Sequence, residues 1–492
     1  MPSSSNPARL SRDRAAARRL AVATFLLLVA AACARNPVTG KRELALVSEA
    51  QEIQMGQEGA KQVEASMALV PDQALQQYVS QVGMRLARAS ERPNLPWSFK
   101  VVDDPTPNAF ALPGGPIYVT RGILALMEDE AELATVLGHE IGHVTARHSV
   151  QQMSQQQLAQ IGLGVGMILS PQVAQFGDLA AQGLGLLFLK YGRDDERQSD
   201  DLGFRYALAQ NYDVREQGDI FASLQRISAQ SGASGIPSWM STHPDPGERV
   251  QAAERRAAGV NRPLDNTIRN RDTFLARTNG LIYGQNPRDG YFDGGVFYHP
   301  ELAFRLTFPQ GWKTQNTPQA VVAMSPQQDA MLQLTFAQGS AQQAAQQFFG
   351  QEGISAGSVS RQAVNGMPAV SGLFEAQTDQ GVLRGVAAFL EYGGRTYQLL
   401  GYAPAERYAA NDAALRQAIG SFARVTDSKV LNAQPNRLDI VKLPQAMTLS
   451  EFARRYPSAV DVEELALLNQ VPNGSAQLAS GSLVKRVVRG SK

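Results

Sequence analysis

The sequence predicts a multidomain chain: a mainly α domain with a small edge sheet, then an α+β domain, then a small βααβ module. Three observations carry this. Apolar residues recur at helical spacing through the first half, as in Leu133, Ala134, Val136, Leu137, Ile141 and Val144. From about Pro300 the pattern changes to the period-two alternation of strands. Arg437 to Val488 then reads strand, helix, helix, strand, and 492 residues exceed what one ordinary core holds.

Taken in order, Ala34 to Arg42 is an extended lead-in broken by Pro37 and Gly40. Ser48 and Gln51 form a capping-box pair that opens a helix to about Met67, and Pro71 starts a second helix to about Ala89. Trp97 to Val102 and Ile117 to Thr120 are strands, and a helix runs from Glu130 to Ser149. The apolar, Gly-rich stretch from Ile161 to Leu189 is interrupted by Pro171, Gln172, Gln175 and Asp178, which suits buried helices or a mobile cover over a cleft better than a membrane span. Glu196 to Ala209, Val214 to Ala229 and Gly247 to Ala258 are helices, with a breaker-rich loop from Ser231 to Pro246. In the second domain Leu302–Phe308, Val321–Ser325, Met331–Ala337, Ala369–Glu375, Leu383–Tyr392 and Thr396–Tyr402 suit strands. Ala341–Phe349 and Pro404–Val425 suit helices covering one side of the sheet. The expected boundaries are 1–33 for a signal segment, 34–275 for the helical domain, 276–299 for a linker, 300–426 for the α+β domain and 427–492 for the tail.

The near-neutral charge excludes a nucleic-acid footprint. Arginines at 9, 12, 14, 18 and 19 precede an apolar run from Leu20 to Ala32, too short for a stable span and placed as a secretory signal. Its end, Val29-Ala30-Ala31-Ala32-Cys33, resembles a bacterial lipoprotein signal, which implies lipidation of Cys33. Ala30 stands where Leu is usual, so ordinary cleavage after the alanines is the competing reading. Ala34, in place of Asp after the cysteine, implies by the same resemblance an anchor at the periplasmic face of the outer membrane. A single cysteine excludes an internal disulfide framework.

His139-Glu140-Ile141-Gly142-His143 is the most specific motif. Residues four apart share a helix face, so two imidazoles can reach one cation while Glu140 stands beside the open position as a general base. That is the spacing of a zinc peptidase, and zinc needs a third protein ligand. Glu196 and Asp200, also four apart, suit a ligand and a carboxylate that orients a ligand histidine; the bland reading is a solvated charged helix start. His148, five residues past His143, is expected to point more than a quarter-turn from the ligand face, in a structural or orienting role. His299 has no motif context.

Asn36-Pro37-Val38-Thr39-Gly40, Asn108 through Gly115, the HEIGH helix with Val144 and His148, Glu196 through Asp200 with Gly203, and Thr242-His243-Pro244 with Arg249 together resemble the BepA-like and HtpX-like zinc metallopeptidases over residues 36 to 258. The resemblance implies a zincin-type domain with one Zn²⁺ per chain, Glu196 as third ligand and Asp200 behind it. Gln198 stands where many relatives have another acid. It also implies that His243 acts as a regulatory fourth ligand that closes the open position; the alternative is a loop histidine capping a helix. Asn108, Ala109, Phe110, Gly114 and Gly115 are candidate substrate-binding residues, an edge that takes a peptide by strand addition, or else a plain tight turn. Arg249 is a further candidate there, or the partner of an acid near the cleft, or a surface decoration.

Phe304 to Val425, with its Phe308-Pro309-Gln310-Gly311-Trp312 turn, resembles PsbP-type domains. Met447-Thr448-Leu449, Phe452-Ala453, Leu465, Asn469 and Leu478 to Gly481 resemble a LysM domain, which implies peptidoglycan as a possible partner. The expected function is a cell-envelope zinc endopeptidase acting on misfolded or misassembled envelope and outer-membrane proteins, with the outer-membrane assembly machinery a possible partner. The competing classes are a non-proteolytic chaperone with a closed metal site and a peptidoglycan-associated binding protein.

Overall fold

A computed structural model describes residues 33–162, 191–231, 243, 246–317, 319–378 and 381–490. The expected signal segment before Cys33, the apolar stretch from 163 to 190 and nearly all of the loop from 232 to 245 lie outside the described residues. Among the described residues no helix is long and apolar enough to cross a membrane. The chain forms two compact units, one of residues up to 281 together with 438–486, the other of 282–437 with the last six residues. The tail, expected as a domain of its own, therefore belongs for most of its length to the unit that carries the metal-binding motif.

In that unit, helices Glu49–Ser66 and Gln73–Ala87 begin at side-chain caps, a capping box on Ser48 and Asp72 accepting from Leu75 N. A three-stranded sheet has Pro116–Thr120 at its centre, parallel to Ser98–Val102 and antiparallel to Ala109–Ala111, which forms an edge. The motif helix is Glu130–Thr145, capped by Asp129 and buried along its whole length. It is shorter than the sequence predicts, because Arg147 takes a left-handed backbone (φ 61°) and a new helix starts at His148. Arg147 is held in that bend by its Nε donating to Glu52 at 2.9 Å and its guanidinium donating to Val47 O at 2.8 Å.

Both ends of the motif helix are tied down. At its carboxy end, Val144 O accepts from Arg92 at 2.9 Å and Ala146 O from Asn36 Nδ2 at 3.0 Å. Asn36 is free to do this because its Oδ1 accepts from Val38 N and Thr39 N and turns the chain. The lead-in is thus a cap on the motif helix.

The second unit carries a seven-stranded antiparallel sheet in the order 313–316, 321–324, 331–337, 395–404, 381–392, 369–378, 354–360. Helices cover both faces, not the one expected. Leu415, Ala418 and Ile419 of helix Ala405–Gly420 pack with Val386, Ala388 and Leu390, while Ala341, Ala344 and Ala345 of helix Ala341–Phe349 pack with Ala387 and Phe389. The alternating side chains of one strand feed two cores, which is why Gly385–Leu390 is continuously buried. The expected helix from 404 to 425 stops at Gly420, and Ala423–Arg424 joins a second small sheet. The stretch expected as a linker, 276–299, contains the end of a helix and the hairpin Tyr291–Asp293 with Val296–His299.

In the tail, Asn436–Lys442 and Leu483–Arg489 are neighbouring strands, with helices Leu449–Arg455 and Val462–Leu468 between them in sequence. Leu449, Phe452, Leu465, Ala466 and Val484 form its core.

Candidate metal centre

The helix that opens at Arg193, one turn earlier than the spacing predicts, lies against the motif helix. Glycines permit the approach. A Cβ on Gly203 would stand 2.7 Å from His139 N, and one on Gly138 would stand 2.9 Å from Gly203 Cα. Any side chain there would drive the helices apart, and the close packing carries Glu196 and Asp200 to the histidine pair.

Four side-chain atoms then converge, from His139, His143, Glu196 and His243, all buried. His139 Nε2 lies 3.0 Å from His143 Nε2 and 3.3 Å from His243 Nδ1. Glu196 Oε1 lies 3.0 Å from His243 Nδ1 and 3.4 Å from His143 Nε2, and its Oε2 is 3.6 Å from His139 Nε2. A tetrahedron with ligand bonds of about 2.0–2.1 Å has edges of roughly 3.3 Å. The donor set fits one tetrahedral cation in size and in chemistry, with His243 in the fourth position.

The charge states fit as well. Burial would push the Glu196 carboxyl up, but His243, Arg249 and His143 hold it well below the usual carboxylate range. Burial drives His143 well below the usual histidine range, so its ring is neutral and offers a lone pair. Glu140 is buried, and neither carboxylate oxygen has a hydrogen-bond partner; His243 Nε2 lies 3.7 Å from its Oε1. Burial raises its pKa, partly offset by His243 and His139.

The surrounding shell is asymmetric. His139 Nδ1 lies 2.9 Å from Asp200 Oδ1, and Asp200 is gripped by Arg249 Nε at 2.9 Å and by its second nitrogen at 2.7 Å. Burial opposes ionisation of Asp200, but Arg249 and His139 hold its pKa down. Arg249 also reaches Glu196 Oε2 at 3.1 Å and stacks over Phe221 at 4.2 Å. The structure gives Arg249 a buried place between two carboxylates, Glu196 and Asp200.

His143 is braced differently. Its Nδ1 lies 3.0 Å from His148 Nδ1, and His148 Nε2 lies 2.9 Å from Gln198 Oε1. A metal on His143 Nε2 requires a proton on Nδ1, which His148 Nδ1 accepts; His148 Nε2–H then donates to Gln198. The break at Arg147 turns His148 back toward its neighbour, so it does not point away as an unbroken helix would require. Tyr191 stacks on His143 at 3.9 Å between centroids and shares a hydrogen bond with Ser149 at 2.9 Å. Sequence spacing gave no sign of Tyr191, and Gln198 marked itself only by standing where relatives have an acid.

Ala109 and Phe110 lie on the buried edge strand, and Asn108 Oδ1 is buried without a hydrogen-bond partner. The room left by Gly114 and Gly115 is filled from within. Their Cβ positions meet Ile53 Cα at 2.6 Å and Pro96 O at 3.2 Å, so these glycines seat helix Glu49–Ser66 and the turn before Trp97.

Residues 73–257 match the model of Peptidase family M48. The four converging side chains, His139, His143, Glu196 and His243, all fall within this segment. The chain is 33% identical over 233 residues to a beta-barrel assembly-enhancing protease of Yersinia pestis, covering 45% of this chain and 47% of that one. It is 30% identical over 259 residues to the protein of the same name in Escherichia coli strain K12, covering 50% and 52%. A mitochondrial metalloendopeptidase OMA1 of Schizosaccharomyces pombe is 31% identical over 232 residues, covering 44% and 64%. The chain spans about half the length of the first two relatives. A solution structure of cyanobacterial PsbP from Synechocystis aligns with 27% of this chain and 94% of its own, at 12% identity and a TM-score of 0.23.

Proposed function

We propose that this chain is a zinc-dependent endopeptidase of the bacterial cell envelope that hydrolyses peptide bonds of misfolded or misassembled envelope proteins, including those of the outer membrane. Glu140 carries the reading: a buried carboxylate with no hydrogen-bond partner, beside a donor set sized for one cation, is where a general base belongs and where a structural site needs nothing. The similarity to proteases named for enhancing beta-barrel assembly supports the substrate class.

His139, His143 and Glu196 would hold the ion. Bound zinc supplies Lewis acidity, polarising the scissile carbonyl and making water more acidic. Glu140 takes the proton of that water, the oxygen bonds to the carbonyl carbon, and Glu140 returns the proton to the amine nitrogen as the C–N bond breaks. Burial raises its pKa, the direction that suits a base which must also give its proton back. Asp200, fixed by Arg249, holds His139 in the ligating tautomer.

His243 acts as the gate. Its Nδ1 sits with the ligands and its Nε2 faces Glu140, so with His243 in place water and substrate are excluded, and the enzyme is latent until His243 leaves that position. The edge strand after Asn108 is the surface for a peptide laid alongside. Lipidation of Cys33 would tether the chain at the periplasmic face, and the LysM-like tail is a candidate for peptidoglycan.

The test is turnover of an unfolded protein substrate together with metal analysis, for wild type, Glu140→Gln and His243→Ala. Glu140→Gln is expected to keep its metal and lose activity by about 10²- to 10⁴-fold, the usual contribution of a general base. Equal turnover by wild type and Glu140→Gln, or no zinc in either, would sink the reading. His243→Ala is expected to raise basal activity, and no change in activity or metal affinity would remove the gate.

A further inference from the structure

The tail residues 438–486 share a compact unit with the motif helix and meet it through a residue the proposed chemistry does not use. Lys485 is fully buried. Its ammonium donates to Ala125 O and Leu126 O at 3.1 Å each and to Met127 O at 2.9 Å, and lies 3.1 Å from Glu128 Oε1. Helix Arg121–Leu126 ends there, and its last carbonyls have no partners further along the helix. They also carry the negative end of its dipole. Three N–H donors meet three carbonyls, and Glu128 balances the charge.

The contacts around this ammonium all fall on the same short junction. Arg271 Nε donates to Glu128 at 2.9 Å, and the same guanidinium donates to Leu483 O in the tail at 2.9 Å. Gln470, in a left-handed backbone (φ 51°), donates to Leu126 O at 3.2 Å and Glu132 Oε1 at 2.6 Å. Within the tail, Asn469 Oδ1 accepts from Lys485 N at 2.7 Å and its Nδ2 donates to Lys485 O at 2.9 Å, pegging the strand that presents the ammonium. The segment gripped is Ala125 to Glu132, the end of one helix and the first turn of the next. That next helix carries His139 and Glu140 two turns on.

We infer that the tail module is a fixed buttress of the peptidase domain, docked by Lys485, and that Lys485 is a positioning residue for the start of the motif helix. A tail swinging free to seek another ligand would leave an ammonium, three carbonyls and a carboxylate to find other partners. The docking stands without the proposed activity, and only the effect on zinc rests on that reading.

The experiment compares hydrogen exchange in the full chain, wild type beside Lys485→Met. Amides from about 123 to 134 are expected to exchange roughly tenfold faster or more, as when buried acceptors lose their donor. Strands 381–392 and 395–404 of the other unit serve as the unchanged reference. Gln470→Ala, which leaves the ammonium in place, is the milder second variant and is expected to loosen the same amides less. Unchanged exchange there in both variants overturns the buttress. Zinc affinity, by competition with a chromogenic chelator well below the melting temperature, is the second readout. A fall in Lys485→Met supports positioning, and an unchanged affinity overturns it. Absence of zinc binding or turnover in wild type would instead defeat the proposed function and leave the exchange result standing.

Discussion

The two units differ most in what they keep away from water. Among the described residues, the unit with the motif helix buries Glu52, Asp129, Glu132, Glu140, Glu196, Asp200, Arg92, Arg121, Arg249 and Lys485, besides four of its histidines. Among its described residues the β-rich unit buries no charged residue, and its buried polar residues there are Ser325 and Thr396. Taking a charge out of water costs several kcal/mol unless partners replace the lost hydration, roughly as large as a domain's whole margin of stability. The first unit meets that cost pair by pair: Glu52 with Arg92 and Arg147, Asp200 with Arg249, Glu128 with Lys485 and Arg271. Glu140 alone of these buried carboxylates has neither oxygen hydrogen-bonded. A fold that tolerates one exception among so many matched pairs puts its chemistry at the exception. The second unit holds together by aromatic packing, as in the stack of Phe304 on Phe422 at 4.9 Å with Tyr397 beside it.

If that contrast is right, damage to one unit should leave the other's property intact. Phe422→Ala removes a fully buried ring and is expected to destabilise the β-rich unit by about 3–5 kcal/mol. Metal affinity should not change. Two unfolding transitions, the first shifted by the mutation and the second by zinc, would express this in calorimetry. A single transition in which both move together would show that the units stand or fall as one.

A smaller effect probes the shell behind His143. His148→Ala removes the acceptor of the His143 Nδ1 proton and should weaken metal binding about 10–100-fold, the usual cost of losing such a partner. Gln198→Glu keeps an acceptor for His148 and adds negative charge, so affinity should hold or rise. Gln198→Met should weaken it. Chelator competition reads all three, and equal affinities would show that the relay orients nothing.

These contacts also mark where the sequence stops being readable. His139, Glu140 and His143 lie within one helical turn, so a local rule suffices to bring them together. Glu196 and Asp200 share a face for the same reason, but which of them faces the metal depends on helix contact, and Gly138 and Gly203 set that contact from opposite helices. His148 has the orienting role expected of it, but its direction differs because a left-handed Arg147 breaks the helix, and nothing in that residue type announces such a bend. Lys485 and its carbonyls are about 360 residues apart, beyond any periodic pattern. In the β-rich unit the strands with alternating apolar residues were readable. Ile354–Ser360 and Lys313–Asn316 were not, because they are exposed edge strands of mostly small or polar residues.

The smallest expected effect concerns acid. Burial holds His299, in the hairpin of the β-rich unit, down to about 4, with Glu301 partly opposing. In the unfolded chain the same imidazole titrates near about 6.5, so as the pH falls the unfolded chain takes the proton first. The stability tied to neutral His299 is therefore fully present above about pH 6.5 and is lost progressively between there and about pH 4. The β-rich unit should show a lower urea midpoint at pH 5 than at pH 7, and His299→Gln should flatten the difference. In the metal-bearing unit the same drop in pH should act by another route, because protons compete with a bound cation for its ligands, so added zinc should offset it there. Zinc that protected both units equally from acid would erase the contrast between a core held by packing and one held by matched charge.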